Sequence, residues 1–305
     1  MAKNSGYAAG TKVKIGMSDR IIRGVGYVLV SIYALACVIP FIIIVSTSFT
    51  SEATIRAEGV QLIPKDISLQ AYEMVAKGGG IWWSYLLTIA LTVVGTFLGL
   101  SIIAMTGYAL QRKDFPFRNV ISFYVYFTSL FSAGLAPYYL LMTNTYHLMD
   151  SYFAVLLPLL MSPWLIILMK NFVKAIPHEI TESGKIDGAG DMKIFTALIL
   201  PMLKPALATI GLFLALGYWN EWYQSSLFLS SRVAVKPLQY TLYEIVNKTD
   251  ALRNSVAGQF ITLADIPTES VKMANAVLAT GPIIFLYPFV QRYFISGITV
   301  GAVKG

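Results

Sequence analysis

The chain has 305 residues, 56% of them hydrophobic and 13% charged, and a formal net charge of +7. A soluble domain of this length has no interior large enough for so much apolar surface, so the expected class is a multi-spanning membrane protein. The positive charge sits in short connectors with no stripe or nucleic-acid-binding motif, and no nucleic-acid partner is expected.

Residues 1–23 form a basic N-terminal segment carrying Lys3, Lys12, Lys14, Arg20 and Arg23 against Asp19. The charge-free stretch from Gly24 to Ser51 is too long for a signal-peptide core and long enough to cross a bilayer. It reads as a retained first span, with Pro40 near its outer end. Cys37 lies inside it, expected as a small buried hydrophobe and unable to form an intrachain disulfide. Glu52–Lys77 reads as a mixed polar connector. Trp82-Trp83 then falls where an interfacial aromatic belt lies, opening a second span to Leu110. Gly95, Gly99 and Gly107 in that span suit close approach of neighbouring helices.

A short basic turn, Gln111–Arg118, leads to a third span over Val120–Met142, where Gly134 and Pro137 can break the helix. Asn144–Asp150 is an outer turn. The fourth span covers Tyr152–Met169, the fifth Pro205–Leu229 and the sixth Ala274–Phe294, with a polar outer segment at Ser230–Lys272. Six spans put both termini on one side. Fifteen Lys and Arg residues fall on that side and eight on the other, which points to cytoplasmic termini. The two histidines, His147 and His178, are far apart and make no metal cluster.

The loop between the fourth and fifth spans is unusually polar. Pro177 precedes Glu179 and Glu182, which favour a helix N-terminus. Gly188 and Gly190 break that helix, and Asp191 is placed to cap a second one with Ile194, Phe195 and Leu198 on one face. From the residues alone, this helix–turn–helix is either a partner-binding loop or an amphipathic connector resting on headgroups.

Glu221 is the acid well inside an apolar span, where a charge costs about 2.5–3.5 kcal/mol on insertion scales. It either lines a path or bonds to a polar neighbour. Tyr138, Tyr139, Trp164, Trp219, Trp222 and Tyr223 suit either sugar stacking or ordinary packing. The chain lacks the phosphate loop G-x-x-x-x-G-K-[ST], the nucleophile elbow G-x-S-x-G and the zinc motif H-E-x-x-H, so no enzyme chemistry is expected.

The run Glu182-Ser-Gly-Lys-Ile-Asp-Gly188, followed by Phe195, Leu200-Pro201 and Pro205, resembles the cytoplasmic "EAA" loop of permease subunits in binding-protein-dependent ABC importers. Ser183 and Gly184 stand where that loop has its two alanines. Three further runs match: Ser132-Ala-Gly-Leu-Ala-Pro-Tyr-Tyr-Leu140, Lys204-Pro-Ala-Leu-Ala-Thr-Ile210, and Pro267 through Tyr287-Pro-Phe-Val-Gln-Arg-Tyr-Phe294. Together they are similar to the MalG-like carbohydrate importers, in the branch that includes the LplC and YtcP permeases.

The resemblance implies an all-α fold with six transmembrane helices over residues 24–305 and a coupling loop at about 176–200. In that loop Glu182, Ser183, Gly184, Asp187, Gly188, Ala189, Phe195 and Pro201 would serve docking on an ATPase. A tail at 296–305 would bring Gly301, Lys304 and Gly305 to the ATPase dimer. It implies a second permease, making a heterodimer, two copies of an ABC ATPase and an extracytoplasmic sugar-binding protein, all around a bacterial inner membrane. It also implies an oligosaccharide as cargo, with Tyr138, Tyr139, Trp219, Asn220, Glu221 and Tyr223 as candidate path residues. The chain would bind no cofactor, ATP and Mg being held by the ATPase partners. The alternative is a self-contained ion-coupled transporter, which predicts more intramembrane charges and internal repeats than the sequence has. A membrane-embedded enzyme or scaffold would need a polar catalytic cluster, and none is visible.

Overall fold

A computed structural model describes residues 17–77, 80–254 and 269–284. Among these residues the chain is helical, apart from turns and one isolated antiparallel bridge between Thr50 and Ile67. Helix α1 (Met17–Ser48) begins seven residues before the expected first span, so the basic segment runs directly into it. Among the described residues nothing covers its apolar window, and Cys37 is exposed rather than buried.

The expected connector after it is folded. Ser51 caps α2 (Glu52–Glu58) by accepting the Thr54 N–H, and α3 (Gln70–Lys77) buries Ala71 and Val75. The Glu52 carboxylate is buried and accepts the Glu269 and Ser270 N–H groups at the start of the helical stretch 269–284. An acid at that position satisfies N–H groups that a helix start leaves unpaired. This docking is long-range and left no local signature in the sequence.

Helix α4 (Ile81–Gln111) is the central span and packs on five of the later helices. Its glycines face those neighbours. A Cβ at Gly95 would lie 2.3 Å from the Tyr218 ring, and one at Gly107 2.6 Å from Met169 Cγ. Small residues here let the helices approach, as expected.

The third span is not one helix. Helix α5 (Arg118–Leu130) stops, Gly134 takes φ +89°, and α6 (Leu135–Leu140) leaves at 115° before a π-helical turn at Leu141–Thr145. At about 1.5 Å per residue α5 is roughly 20 Å long, too short to cross a bilayer alone. The fourth span is α7 (Phe153–Leu160) and α8 (Pro163–Lys174), interrupted just before Pro163. The fifth is α12 (Lys204–Trp219) followed after a break by α13 (Tyr223–Phe228).

Three helices among the described residues are long and apolar enough to cross a membrane, or five if each bent pair is one span. The expected sixth span is helical over 274–284, and its remainder, 285–294, lies outside the described residues. The expected outer segment contains α14 (Leu238–Asn254), whose Leu238 and Leu242 join a core with Val75, Ile81, Trp219 and Val271.

Candidate functional site

The loop after α8 is a helix, a glycine turn and a second helix. Helix α9 (His178–Ile186) ends at Asp187, and Gly188 takes φ +71°. The Ala189 N–H donates to the Gly184 carbonyl at 2.9 Å and the Gly188 N–H to the Lys185 carbonyl at 3.0 Å. This is a Schellman motif, with glycine at the left-handed position where other residues are strained.

The return segment runs through α10 (Asp191–Lys193), a π-helical stretch at Ile194–Ile199 and α11 (Leu200–Met202). Asp191 does not cap it as expected. Gly190 holds that position, and the Asp191 carboxylate lies 2.6 Å from the Arg112 guanidinium.

The loop's apolar face turns inward. Phe195 is only 7% exposed, and its ring sits 5.2 Å from Tyr108 of α4. Ile194 and Ile199 join the same core as Ile103, Leu165 and Met169. Phe195 therefore fastens the loop to the spans instead of offering contact area to a partner. Gly184 is likewise buried under the loop's own side chains, since a Cβ there would meet Leu198 Cδ1 at 3.0 Å and Ile194 Cγ1 at 3.1 Å. Its small size serves internal packing, not packing against a partner.

Outward-facing residues include Glu182, Ser183, Asp187 and Pro201, with Gly188 at the tip and Ala189 half-buried. Two residues that drew no notice in the sequence are the most exposed large apolar side chains in the loop, Ile186 at 86% and Met192 at 65%. A polar loop that packs one apolar face inward and still leaves two large apolar side chains out has the make-up of a docking surface.

A charge network ties this loop to the basic turn between α4 and α5. Arg112 bonds to both carboxylate oxygens of Asp114 and also to Asp191, while Lys185 of α9 reaches Asp114 at 2.7 Å. The Arg112 guanidinium, and then Lys185, hold the Asp114 carboxyl well below the usual carboxylate range. Asp114, in turn, raises Arg112 above its ordinary value. An acid inside an otherwise basic turn was the available sequence signal for this network.

The second group of candidates lies at the break between α12 and α13. Glu221 is 7% exposed, and its carboxylate accepts the Gln224 N–H and Ser225 N–H and, at 2.6 Å, the Ser225 hydroxyl. It closes the start of α13 within its own span. Trp219 is buried and donates from Nε1 to the Ala279 carbonyl at 3.0 Å. Both side chains are buried and support the break.

Asn220, Trp222 and Tyr223 are exposed beside them. Tyr138 of α6 donates to Gln224 Oε1 at 2.9 Å and packs edge-on against Phe228, and Tyr139 stacks on the same ring. The breaks in the third and fifth spans are therefore joined. Trp164 is mostly exposed and packs on Phe213. Gly301, Lys304 and Gly305 lie outside the described residues. Among the described residues no group of His, Cys, Asp and Glu is arranged to hold a metal ion.

Comparison with known proteins converges on one group. Residues 104–300 match the family of binding-protein-dependent transport system inner membrane components. The polygalacturonan/rhamnogalacturonan transport system permease YtcP of Bacillus subtilis is 35% identical over 95% of this chain and 100% of its own length. Protein LplC of the same organism is 35% identical over 88% of this chain and 90% of its own. The trehalose/maltose permease MalG of Thermococcus litoralis is 29% identical over 94% and 97%. A crystal structure of a bacterial ABC transporter that imports the acidic polysaccharide alginate contains a chain 33% identical to this one. It superposes with a TM-score of 0.78 over 92% of this chain and 98% of that one.

Proposed function

The chain belongs to the family of binding-protein-dependent transport system inner membrane components, and from that premise we propose how it works. It is a membrane-embedded permease subunit of a carbohydrate ABC importer, which sets aside the self-contained transporter. It pairs with a second permease, and an uncovered surface supports that pairing. Among the described residues nothing covers the apolar window of helix α1. An extracytoplasmic binding protein delivers the cargo, and two ATPase copies supply the energy. ATP and Mg belong to those ATPases, in keeping with the absent phosphate loop here. The termini and the α9 loop face the cytoplasm, the side favoured by the Lys and Arg bias.

The observation that carries the coupling role is the loop itself. Its tip is shaped by the Gly188 turn, its back is fastened by Phe195 and the Arg112–Asp114–Lys185 network, and Ile186 and Met192 stand free. We assign Ile186 and Met192 as the apolar contacts with the ATPase, with Glu182, Ser183, Asp187 and Pro201 around them. A loop held this firmly passes movement of its partner into α4, α8 and α12, because packed cores shift as units. Asn220 and Tyr223, exposed at the paired breaks with Tyr138 alongside, form this subunit's wall of the sugar path, and Trp219 and Glu221 keep that wall in shape. Oligosaccharides of the polymers for which the relatives are named are the cargo to test first.

The test is a gentle-detergent pull-down of the tagged chain from its own cells, with mass spectrometry of the partners. Recovery of a second permease and an ATPase, with the ATPase lost from an Ile186→Asp/Met192→Asp variant that keeps the permease, is the expected result. A chain that purifies alone would contradict the reading.

A further inference from the structure

Beside the coupling loop is a cavity of about 530 Å³ between the end of α4, α5 and α8. Four cations line it, Lys113, Arg118, Lys170 and Lys174, with no acid among the lining residues. Lys170 donates to the Ser122 hydroxyl at 2.8 Å, and Arg118 makes a long bond to the Arg112 carbonyl at 3.4 Å. None of the four forms an ion pair with a described acid, whereas Arg112 and Lys185 nearby are both paired. Lys170 and Lys174 are four residues apart on one helix, a like-charge spacing that weakens a helix by a few tenths of a kcal/mol. Lys170 is also half-buried. Lys113 and Lys174 also border a neighbouring hollow lined by Asp114 and Glu179, yet none of the four is ion-paired with a described acid, and an anion in this cavity would give them a counter-charge.

The position decides which anion. The cavity lies where α8 leaves the apolar zone toward the loop, at headgroup depth on the side that the charge bias makes cytoplasmic. Its α5 wall carries Val125 and Tyr126, the latter more than half exposed, and the same helix shows exposed Val120 and Phe123 beside it. A cationic hollow with an apolar flank fits an amphiphile, and basic pockets between transmembrane helices on the cytoplasmic side suit anionic headgroups. We propose that this cavity is a binding site for the phosphate of an anionic phospholipid, whose acyl chains lie along α5. A lipid held there would touch the turn that carries Arg112 and Asp114, and so would brace the loop. The site needs only that the chain spans a membrane, and stands apart from the importer assignment.

The test uses the purified importer, or the chain with whatever co-purifies, in nanodiscs of phosphatidylcholine with one-fifth phosphatidylglycerol, read by native mass spectrometry after extraction. The wild type should retain phosphatidylglycerol in preference to phosphatidylcholine. Lys170→Gln should lower that retention about fivefold, and Lys113→Gln/Lys174→Gln about twenty-fivefold, the size expected for surface cations near anionic lipid. Lys170→Arg should restore it, which separates loss of charge from misfolding. Retention that is unchanged in the Gln variants would overturn the proposal. So would displacement of the lipid by millimolar inorganic phosphate or by an acidic oligosaccharide, since the site would then serve a soluble anion or the cargo.

Discussion

At Gly188 the backbone adopts a left-handed conformation with open space around the missing side chain. The demand is therefore conformational and not steric. Gly188→Asn, which tolerates that region, should keep most uptake. Gly188→Val should cost about 1–2 kcal/mol locally, and Gly188→Pro should also remove the N–H that bonds to Lys185. Radiolabelled-sugar uptake beside an immunoblot of membrane content should show transport falling in that order while the protein stays inserted. At Glu221 the expected defect is structural. Glu221→Ala deletes a buried acceptor serving two N–H groups and a hydroxyl, for a loss of about 1–2 kcal/mol by analogy with helix caps. It should lower the melting temperature of the detergent-solubilised complex, and Glu221→Gln should recover part of it. A variant that melts normally but no longer transports would instead place Glu221 on the sugar path.

Between elements, the contacts that matter are close approaches and one exposed charge network. Gly95→Ala drives a methyl group into the Tyr218 ring, which is pinned by its bond to the Leu156 carbonyl. Overpacking of this kind costs about 1–3 kcal/mol, so the variant should melt lower, while Gly217→Ala, with open space around it, should not. In the network Arg112 is mostly buried but Asp114, Lys185 and Asp191 are exposed, so the network should answer to salt more than to pH. The Asp114 carboxyl is held below its unfolded value, so its contribution is complete above the ordinary carboxylate range and fades only as pH falls below it. Hydrogen-exchange protection factors at 112–118 and 178–199, corrected for the intrinsic pH dependence of exchange, should fall between 0.05 and 0.5 M salt (about a threefold drop in screening length) and stay level from pH 8 to pH 6.

What the sequence made legible at this scale was local. The glycine turn, the packing glycines of α4 and the break at Gly134 each follow from one residue type in one place. What it hid was contact across distance. Glu52 bonding to residues 269 and 270 and the packing of Phe195 on Tyr108 depend on partners more than eighty residues away, and the α2–α3 connector is closed by contacts such as Thr54 with Asp66.

For the whole molecule, the loop is the part that couples a firm attachment behind to a bare apolar front. Its attachment runs through Phe195, Ile194 and the Arg112 network into three spans, and its bare side shows Ile186 and Met192. The most direct measurement is site-specific cross-linking in native membranes. A single cysteine at position 186 or 192, in a Cys37→Ser background, is labelled with a maleimide–benzophenone and irradiated, so that the photoreactive end inserts into C–H bonds of whatever protein lies against it. The account predicts an adduct between this chain and the ATPase at both positions, none from a cysteine at Phe195, and protection from a soluble maleimide only when the ATPase is present. Adducts to lipid-soluble probes alone, with no ATPase product at either position, would contradict it and return the loop to a connector lying on the membrane surface.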